Sequence, residues 1–244
     1  MCIDTDWVSD SIITNVAEYL ITNKIKSTWF ITHDSPAIRK LLATPDIFEV
    51  GIHPNFSNES TQGTKPKDIM NYLLKIAPLA KSVRTHCLLQ STPLLKMMRE
   101  EFNILYDTSI FLPNTLNIIP HELYFSKDVK ILRFPCFWED DVESCTPSPS
   151  FSFNDKKNHV AGLKIFGFHP IHIVLNSSNF DNYCRCKSKV DITKCSITDL
   201  KSYINTTSNG AGTFFKELTQ HIKNSPASPG LTISDLAKKW RMLK

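Results

Sequence analysis

The stretch STWFITHDSPAIRKLLATPDIFEVGIH, residues 27–53, decides the fold. It contains two short runs rich in β-branched and aromatic residues, 27–32 and 48–52, on either side of a segment with a helical pattern, 36–43. Such runs predict strands, and a proline such as Pro36 is well tolerated in the first turn of a helix. The stretch therefore predicts a strand–helix–strand unit of the kind that builds a parallel sheet.

The same alternation continues along the chain. A helix is predicted at 10–22, because Ile13, Val16, Ala17 and Leu20 form one apolar face. Further strands are predicted at 82–85, 104–106, 130–134 and 163–168, and further helices at 66–76, 93–102 and 212–222. With 244 residues, 41% of them hydrophobic, the pattern indicates one α/β domain over 1–244.

The ends of the chain and two polar segments depart from this regular pattern. The first strand spans only 2–4, so either it is unusually short or residues are missing before Met1. Residues 144–158, rich in Ser, Pro and Asn, and residues 177–194 predict loop insertions. A C-terminal helix is predicted at 231–244, with Thr232 or Ser234 as its cap.

Composition and charge exclude several classes of function. The 28 basic and 24 acidic residues give a net charge of +4 and are scattered, so no nucleic acid is expected as a partner. No apolar run is long enough for an integral membrane segment. The odd number of cysteines, seven, and the lack of a secretory signal before Asp4 favour the cytoplasm. Nothing in the sequence indicates the oligomeric state.

Titratable side chains occur where the predicted strands end. In α/β folds, ligands bind beyond the carboxyl ends of the strands, so these side chains predict one shared site. They are Asp4, Asp6, His33, Asp34, His53, Arg84, His86, Glu139, Asp140, Asp141, His169 and His172.

The order of these motifs resembles the polysaccharide deacetylase (NodB-homology) superfamily, in particular a divergent branch associated with bacterial surface-polysaccharide gene clusters. The resemblance spans roughly 1–222, and 168–176 is its most distinctive piece. It implies an α/β fold of the distorted (β/α) barrel type, with about seven strands and a divalent metal at its mouth. The matching pieces are IDTDW at 3–7, EVGIHPN at 49–55, RTH at 84–86, FPCFWED at 134–140 and FHPIHIVLN at 168–176.

The resemblance implies that an acidic pair on the first strand divides the work between a catalytic base and a metal ligand. Here the pair is Asp4 and Asp6, which Thr5 separates, whereas the family's aspartates are adjacent. Residues two apart on a strand point to the same face, so both can enter one site. By order alone, Asp4 is predicted to be the base and Asp6 the ligand.

The family's metal histidines are matched only in part. His53 matches the first, but Ser57 stands at the position of the second, and His86 is the predicted replacement. One aspartate and two histidines leave open positions for water and a substrate oxygen. Zn²⁺ suits two imidazoles best, with iron, cobalt or nickel as alternatives. His33 is an alternative ligand, and Asn55 is expected to support the site or to contact substrate.

The remaining roles concern proton transfer and the substrate. His169, which matches the family's late-strand histidine, is predicted to donate a proton to the leaving amine. Asp140 would orient it, with Glu139 as the alternative, while Arg84 would pair with the base. Trp7 and Trp138 are candidate faces for a sugar or plain packing, and His172 is either a substrate contact or structural.

The sequence thus predicts a metal-dependent hydrolase that removes an N-acyl group, above all N-acetyl, from a sugar or glycan precursor. Cleavage of another amide or ester on the same barrel is a close alternative, since fold and metal do not fix the substrate. The alternative from a different class is a non-catalytic, degenerate barrel that binds a glycan or a partner. The altered metal motif is the feature that favours this second interpretation.

Overall fold

The computed structural model describes residues 1–225 and 230–242, and within them nine strands form a single sheet. The strands are β1 (Cys2–Asp4), β2 (Ser27–Ile31), β3 (Phe48–Ile52), β4 (Ser82–Val83), β5 (Tyr106–Asp107), β6 (His121–Tyr124), β7 (Lys130–Arg133), β8 (Trp138–Glu139) and β9 (Phe166–Phe168). Their order in the sheet is β6-β7-β5-β4-β3-β2-β1-β9-β8. All neighbours pair in parallel except β6 and β7, which are antiparallel.

The sheet is a curled half-barrel that stays open between β6 and β8, because these two strands lie at opposite ends of the order. The predicted α/β class and distorted barrel are confirmed, but the described strands number nine rather than about seven. The two that the sequence did not indicate are β6, an edge strand without a clear apolar alternation, and β8, which has only two residues. Neither is long enough or regular enough to give a periodic signal.

Helices cover the sheet and connect its parallel strands. They are α1 (Asp10–Asn23), α2 (Pro36–Leu42), α3 (Pro66–Ile76), α4 (Thr92–Phe102), α5 (Asp140–Ser144), α6 (Pro170–Leu175), α7 (Phe180–Lys187), α8 (Ile197–Leu200), α9 (Ala211–Asn224) and α10 (Ile233–Met242). The apolar face predicted for α1 is buried, and Lys24 ends this helix in a left-handed conformation with φ 55°. The Ser35 side chain caps α2 by accepting the N–H of Ile38.

The C-terminal helix α10 lies at the edge of the sheet where the strands begin. The N–H of Ile233 donates to Thr28 Oγ1 at 2.9 Å, and the N–H of Ser234 donates to Glu49 Oε2 at 2.7 Å. Ile233 and Ala237 are buried beside Phe30 in the interior of the half-barrel. The helix therefore closes the end opposite the predicted site; residues 243–244 of the predicted helix lie outside the described residues.

Both polar insertions are tied to the body of the protein. Within 144–158, the side chains of Phe151 and Phe153 are buried in the main core. Within 177–194, α7 replaces part of the predicted loop, because Asn179 caps it by accepting the N–H of Asn182. Burial of aromatic side chains and a helix cap explain why neither segment is a plain surface loop.

None of the helices in residues 1–225 and 230–242 is both long enough and apolar enough to cross a membrane.

Candidate active site

A left-handed turn after β1 positions the acidic pair. The strand ends at Asp4, and Asp6 and Trp7 then take φ values of 39° and 58°. A left-handed conformation costs a non-glycine residue about 1–3 kcal/mol, and residues in this conformation cluster at functional sites. Thr32 Oγ1 holds the turn, because it lies 3.0 Å from Thr5 Oγ1 and accepts the N–H of Trp7 at 3.2 Å. This turn therefore directs Asp6 into the site. The explanation predicted from the sequence, that Asp4 and Asp6 alternate on one strand, is wrong because the strand ends at Asp4.

Asp6, His53 and His86 converge from three different strand ends. Oδ1 of Asp6 lies 3.2 Å from Nε2 of His53 and 3.4 Å from Nδ1 of His86. The two imidazole nitrogens are 3.2 Å apart. His53 is buried, and Asp6 keeps 25% of its side chain exposed, so the cluster opens to solvent on one side.

This cluster fits a divalent cation. Its three ligand atoms lie within 4.8 Å of one another, and Oδ1 of Asp6 is buried without a well-formed hydrogen bond in the described residues. Burial acts to raise the pKa of Asp6, but the close imidazoles of His53 and His86, together with the charge of His169, outweigh it and hold that pKa well below its usual value. An ionised carboxylate and two imidazoles facing one point form the two-histidine, one-carboxylate set that binds Zn²⁺ or Fe²⁺ with open positions.

His169 stands on the other side of Asp6 and is held by Asp140. Its Nδ1 lies 2.7 Å from Oδ1 of Asp140, and its Nε2 lies 3.4 Å from Oδ2 of Asp6. Burial acts to lower the pKa of His169, but the charges of Asp140, Asp141 and Asp6 outweigh it and raise that pKa well above its usual value. The protonated form of His169 is thereby favoured, and its Nε2 faces the cluster, which suits a proton donor.

Asp140, Asp141 and His169 form a second group with the spacing of metal ligands. However, both carboxylate oxygens of Asp140 already accept hydrogen bonds. Oδ1 also receives the N–H of Asp141 at 2.9 Å, and Oδ2 receives the N–H of His169 at 2.8 Å. We therefore do not interpret this group as a metal site. Asp140 orients His169, and Asp141 adds a neighbouring negative charge.

A buried ion network holds Asp4. Nε of Arg84 donates to Oδ2 of Asp4 at 2.7 Å, Nη2 donates to Glu139, and Nη1 donates to the carbonyl of Thr108 at 2.9 Å. Arg84 is only 1% exposed. Burial acts to lower its pKa, yet the carboxylates of Glu139 and Asp4 outweigh this and raise it well above the usual value. The other oxygen of Asp4, Oδ1, is buried and has no hydrogen-bond partner in the described residues.

The sequence missed the role of Glu139. It indicated Glu139 only as an alternative partner for His169, whereas the structure pairs Glu139 with Arg84 and Asp140 with His169. Glu139 is the last residue of β8 and Asp140 is the first of α5, so the two carboxylates leave the chain in different directions. The sequence contained a usable signal. Two adjacent acidic residues, Glu139 and Asp140, could each have been assigned a separate partner, Arg84 or His169.

Of the four predicted substrate contacts, Trp7 lies against the cluster, and Asn55 follows His53 by two residues on the same loop. Trp7 is half-buried, and its ring meets that of His86 edge-on at 5.2 Å. Oδ1 of Asn55 accepts the N–H of Ser57 at 3.0 Å and its hydroxyl at 2.6 Å, so this side chain shapes the loop. Ser57 is exposed, in agreement with its not serving as a ligand.

For Trp138 and His172 the structure favours the second predicted alternative, packing inside the protein, over a substrate contact. Trp138 is 2% exposed, stacks on Phe214 at 4.1 Å, and donates from Nε1 to Glu143 at 3.1 Å. His172 is buried with Nδ1 3.0 Å from Ser177 Oγ, and burial lowers its pKa. Both side chains pack inside the protein, and neither presents a face to a substrate.

His33, the alternative ligand, is not part of the Asp6–His53–His86 cluster. Its Nδ1 is 2.8 Å from Thr32 Oγ1, and burial lowers its pKa.

A largely parallel sheet whose strand ends carry an Asp/His cluster, a buried carboxylate paired with an arginine, and an imidazole held by a carboxylate is typical of the polysaccharide-deacetylase class of barrel hydrolase. The chain belongs to the WbmS-like polysaccharide deacetylase family, whose model matches residues 1–187. It is similar to the crystal structure of WbmS from Bordetella bronchiseptica, which is provisionally assigned as a polysaccharide deacetylase involved in O-antigen biosynthesis. The two chains are 29% identical with a TM-score of 0.74, over 90% of this chain and 88% of that chain. No curated protein matches the sequence.

Proposed function

We propose that this protein removes the N-acetyl group from an amino sugar in a glycan or glycan precursor, with a divalent cation held by Asp6, His53 and His86. Membership of the family supports hydrolysis of a carbon–nitrogen bond in an acetylated glycan. The observation that carries the proposal is the convergence of Asp6 Oδ1, His53 Nε2 and His86 Nδ1 within 3.4 Å of one another. Zn²⁺ suits this set best, and iron, cobalt and nickel are alternatives.

A cation bound there supplies Lewis-acid chemistry, because it lowers the pKa of a water molecule and polarises an amide carbonyl. The protein supplies the proton transfers. Asp4 takes a proton from the attacking water through its unpartnered oxygen, Oδ1. Arg84 holds the other oxygen of Asp4 and thereby fixes the orientation of the base.

His169 completes the reaction on the opposite side. As the carbon–nitrogen bond breaks, its Nε2 proton passes to the leaving amine, which would otherwise depart as an unstable anion. Asp140 keeps the imidazole ring in position through Nδ1 and stabilises its positive charge. Water adds across the amide, so the products are acetate and the free amino sugar.

A paired base and an oriented acid also argue against a non-catalytic barrel. A glycan-binding scaffold has no need of Arg84, which is buried in contact with two carboxylates. Such networks are costly to bury unless they are complete. The network here leaves Oδ1 of Asp4 without a partner in the described residues, and a role for that atom in catalysis would explain why so costly an arrangement is retained.

The test is acetate release from N-acetylated amino sugars and their oligomers by the zinc-loaded protein, with metal content measured in parallel. Asp4→Asn should lower the rate by about 10²–10⁴-fold and leave the metal bound. His53→Ala should abolish metal binding and activity together. Asp46→Asn and His121→Ala, which change exposed residues outside the site, are matched controls.

Two outcomes would contradict the assignment. Loss of metal from Asp4→Asn would show that the two aspartates have exchanged roles. Full turnover by His86→Ala would exclude His86 from the cation site.

A further inference from the structure

Two glutamine side chains hold the segments that carry the histidines of the candidate cation site. Gln62 contacts the loop after β3, which begins at His53, and Gln90 ends the turn after β4 that contains His86. Both histidines follow the last residue of their strand, where the regular pairing of the sheet ends. Their positions therefore depend on contacts outside the sheet.

Gln62 joins three backbone groups around His53. Its Nε2 donates to the carbonyl of His53 at 3.1 Å and to that of Thr32 at 2.9 Å, and its Oε1 accepts the N–H of Asn55 at 2.7 Å. Gln62 is only 4% exposed, so these contacts are shielded from water. They fix the loop of His53 relative to the end of β2.

Gln90 attaches the turn that carries His86 to Ser109. Nε2 of Gln90 donates to the carbonyl of Ser109, and the hydroxyl of Ser109 accepts the N–H of Thr85 at 2.9 Å. Both ends of the turn, residues 85 and 90, are thereby attached to one buried residue that follows β5.

The turn needs such an attachment because its backbone is strained. Cys87 and Leu88, which directly follow His86, take left-handed conformations with φ values of 53° and 52°. Non-glycine residues remain in this conformation only where the surrounding structure fixes them. Without the contacts to Ser109, we expect the turn to relax and His86 to leave its position beside Asp6.

A closed ring of hydrogen bonds fixes Gln90 itself. Nη2 of Arg133 donates to Oε1 of Gln90, and Nε of Arg133 donates to Oδ2 of Asp107 at 2.7 Å. The other oxygen of Asp107, Oδ1, accepts the N–H of Ser109 at 3.0 Å. Asp107 and Ser109 are fully buried, which strengthens these contacts. The ring therefore ties the position of His86 to β5 and β7.

We propose that Gln62 and Gln90 are positioning residues, which set the separation of Nε2 of His53 from Nδ1 of His86 and thereby the affinity of the site for a divalent cation. The inference rests on the proposed function, because the cation site is part of it. Each glutamine acts through the backbone of the segment that carries its histidine. A neutral amide suits this role, since it both donates and accepts hydrogen bonds and adds no charge beside the cation.

The test measures the zinc affinity of the full chain by competition with a chromophoric chelator. The visible absorption of the cobalt-loaded protein is recorded in parallel, because it depends on the geometry of the ligands. Gln62→Met and Gln90→Met keep an unbranched side chain but remove its hydrogen bonds. Each should weaken zinc binding about 10–100-fold, the usual effect of removing a group that orients a metal ligand, and shift the cobalt spectrum. Gln220→Met changes an exposed glutamine of α9 and should alter neither quantity.

Two further variants test the same contacts more mildly. Gln62→Asn retains an amide that is one methylene too short to join the same groups. Arg133→Lys retains a positive charge opposite Asp107 but lacks the planar fork that also holds Gln90. Both should weaken zinc binding in the same direction as the methionine variants, and melting temperatures verify that each variant is folded.

A merely structural role of the glutamines would lower the melting temperature of the metal-free protein but leave the zinc affinity and cobalt spectrum of the folded protein unchanged. That result would overturn the inference. Acetate release separates it from the proposed function. Zinc binding that depends on the glutamines without acetate release would contradict only the function, and acetate release with equal zinc affinity in all variants would contradict only the positioning role. A wild-type protein that binds neither zinc nor cobalt would overturn both.

Discussion

Asp140 fixes both the ring and the backbone of His169. One carboxylate oxygen lies 2.7 Å from Nδ1 of the imidazole, and the other accepts the N–H of the same residue at 2.8 Å. Because Asp140 is fully buried, these contacts are shielded from water. The arrangement aims Nε2 of His169 at Asp6, where the leaving nitrogen of a substrate would lie.

Loss of this contact should impair catalysis without loss of metal. Asp140→Asn is expected to lower kcat by about 10²–10⁴-fold, because the imidazole loses its orientation and its charge partner. Steady-state acetate release and zinc content check this expectation. Asp141→Asn is the comparison, since this side chain acts on His169 only through its charge and should cost less. A wild-type kcat for Asp140→Asn would remove His169 from the proposed role.

Removal of one member of the network of Asp4, Arg84 and Glu139 should strongly destabilise the protein. Glu139→Gln leaves the buried Arg84 with one negative partner instead of two. We expect the free energy of unfolding to fall by about 3–5 kcal/mol, the usual cost of removing one partner of a buried ion pair. Urea denaturation measures it, with the exposed Glu59→Gln as control. A loss below about 1 kcal/mol would show that the pair behaves like an exposed one.

Trp7 and Trp138 share a predicted role, but their replacement by alanine should have different effects on stability and kinetics. Trp138→Ala should lower the free energy of unfolding by about 3–5 kcal/mol, because its ring is stacked in the core. Trp7→Ala should instead raise KM, since this half-buried ring lies against His86 at the opening of the site. Denaturation and kinetics on both variants check this. An increase of KM only for Trp138→Ala would reverse the assignment.

His172 should make stability depend on pH. Burial lowers its pKa in the folded protein, so the unfolded chain takes up the proton first as the pH falls. Its contribution is complete above about pH 6.5, the ordinary histidine pKa, and is lost as the pH drops from there toward the folded-state pKa. Between pH 7 and pH 5 the melting temperature of the wild type should fall more steeply than that of His172→Gln. Parallel curves would contradict the neutral, buried state of His172.

The sequence predicted the elements with the strongest periodic signals. The bounds of β3 and α3 agree with the prediction to the residue, because an apolar run and a proline-initiated amphipathic helix mark them. The strand pairs that curl the sheet are harder to predict from the sequence. β8 has only two residues, and its partner β9 is distant in sequence.

The candidate site could be predicted from the sequence only where the order of the strands in the sheet could be predicted. Residues such as His53 and His86 follow neighbouring parallel strands, so their proximity follows from topology alone. Side-chain direction does not: Trp138 and His172 belong to the right motifs, yet both point into the core. The left-handed turn at Asp6 also carries no periodic signal, and the strand alternation from which Asp6 was predicted to enter the site does not apply to a residue with φ 39°.

The most direct test of the account is an anomalous-scattering map at the zinc absorption edge, from a crystal of the zinc-loaded protein. The account predicts one strong peak in contact with Oδ1 of Asp6, Nε2 of His53 and Nδ1 of His86. A peak at Asp140, Asp141 and His169 instead, or no peak at the strand ends, would contradict it.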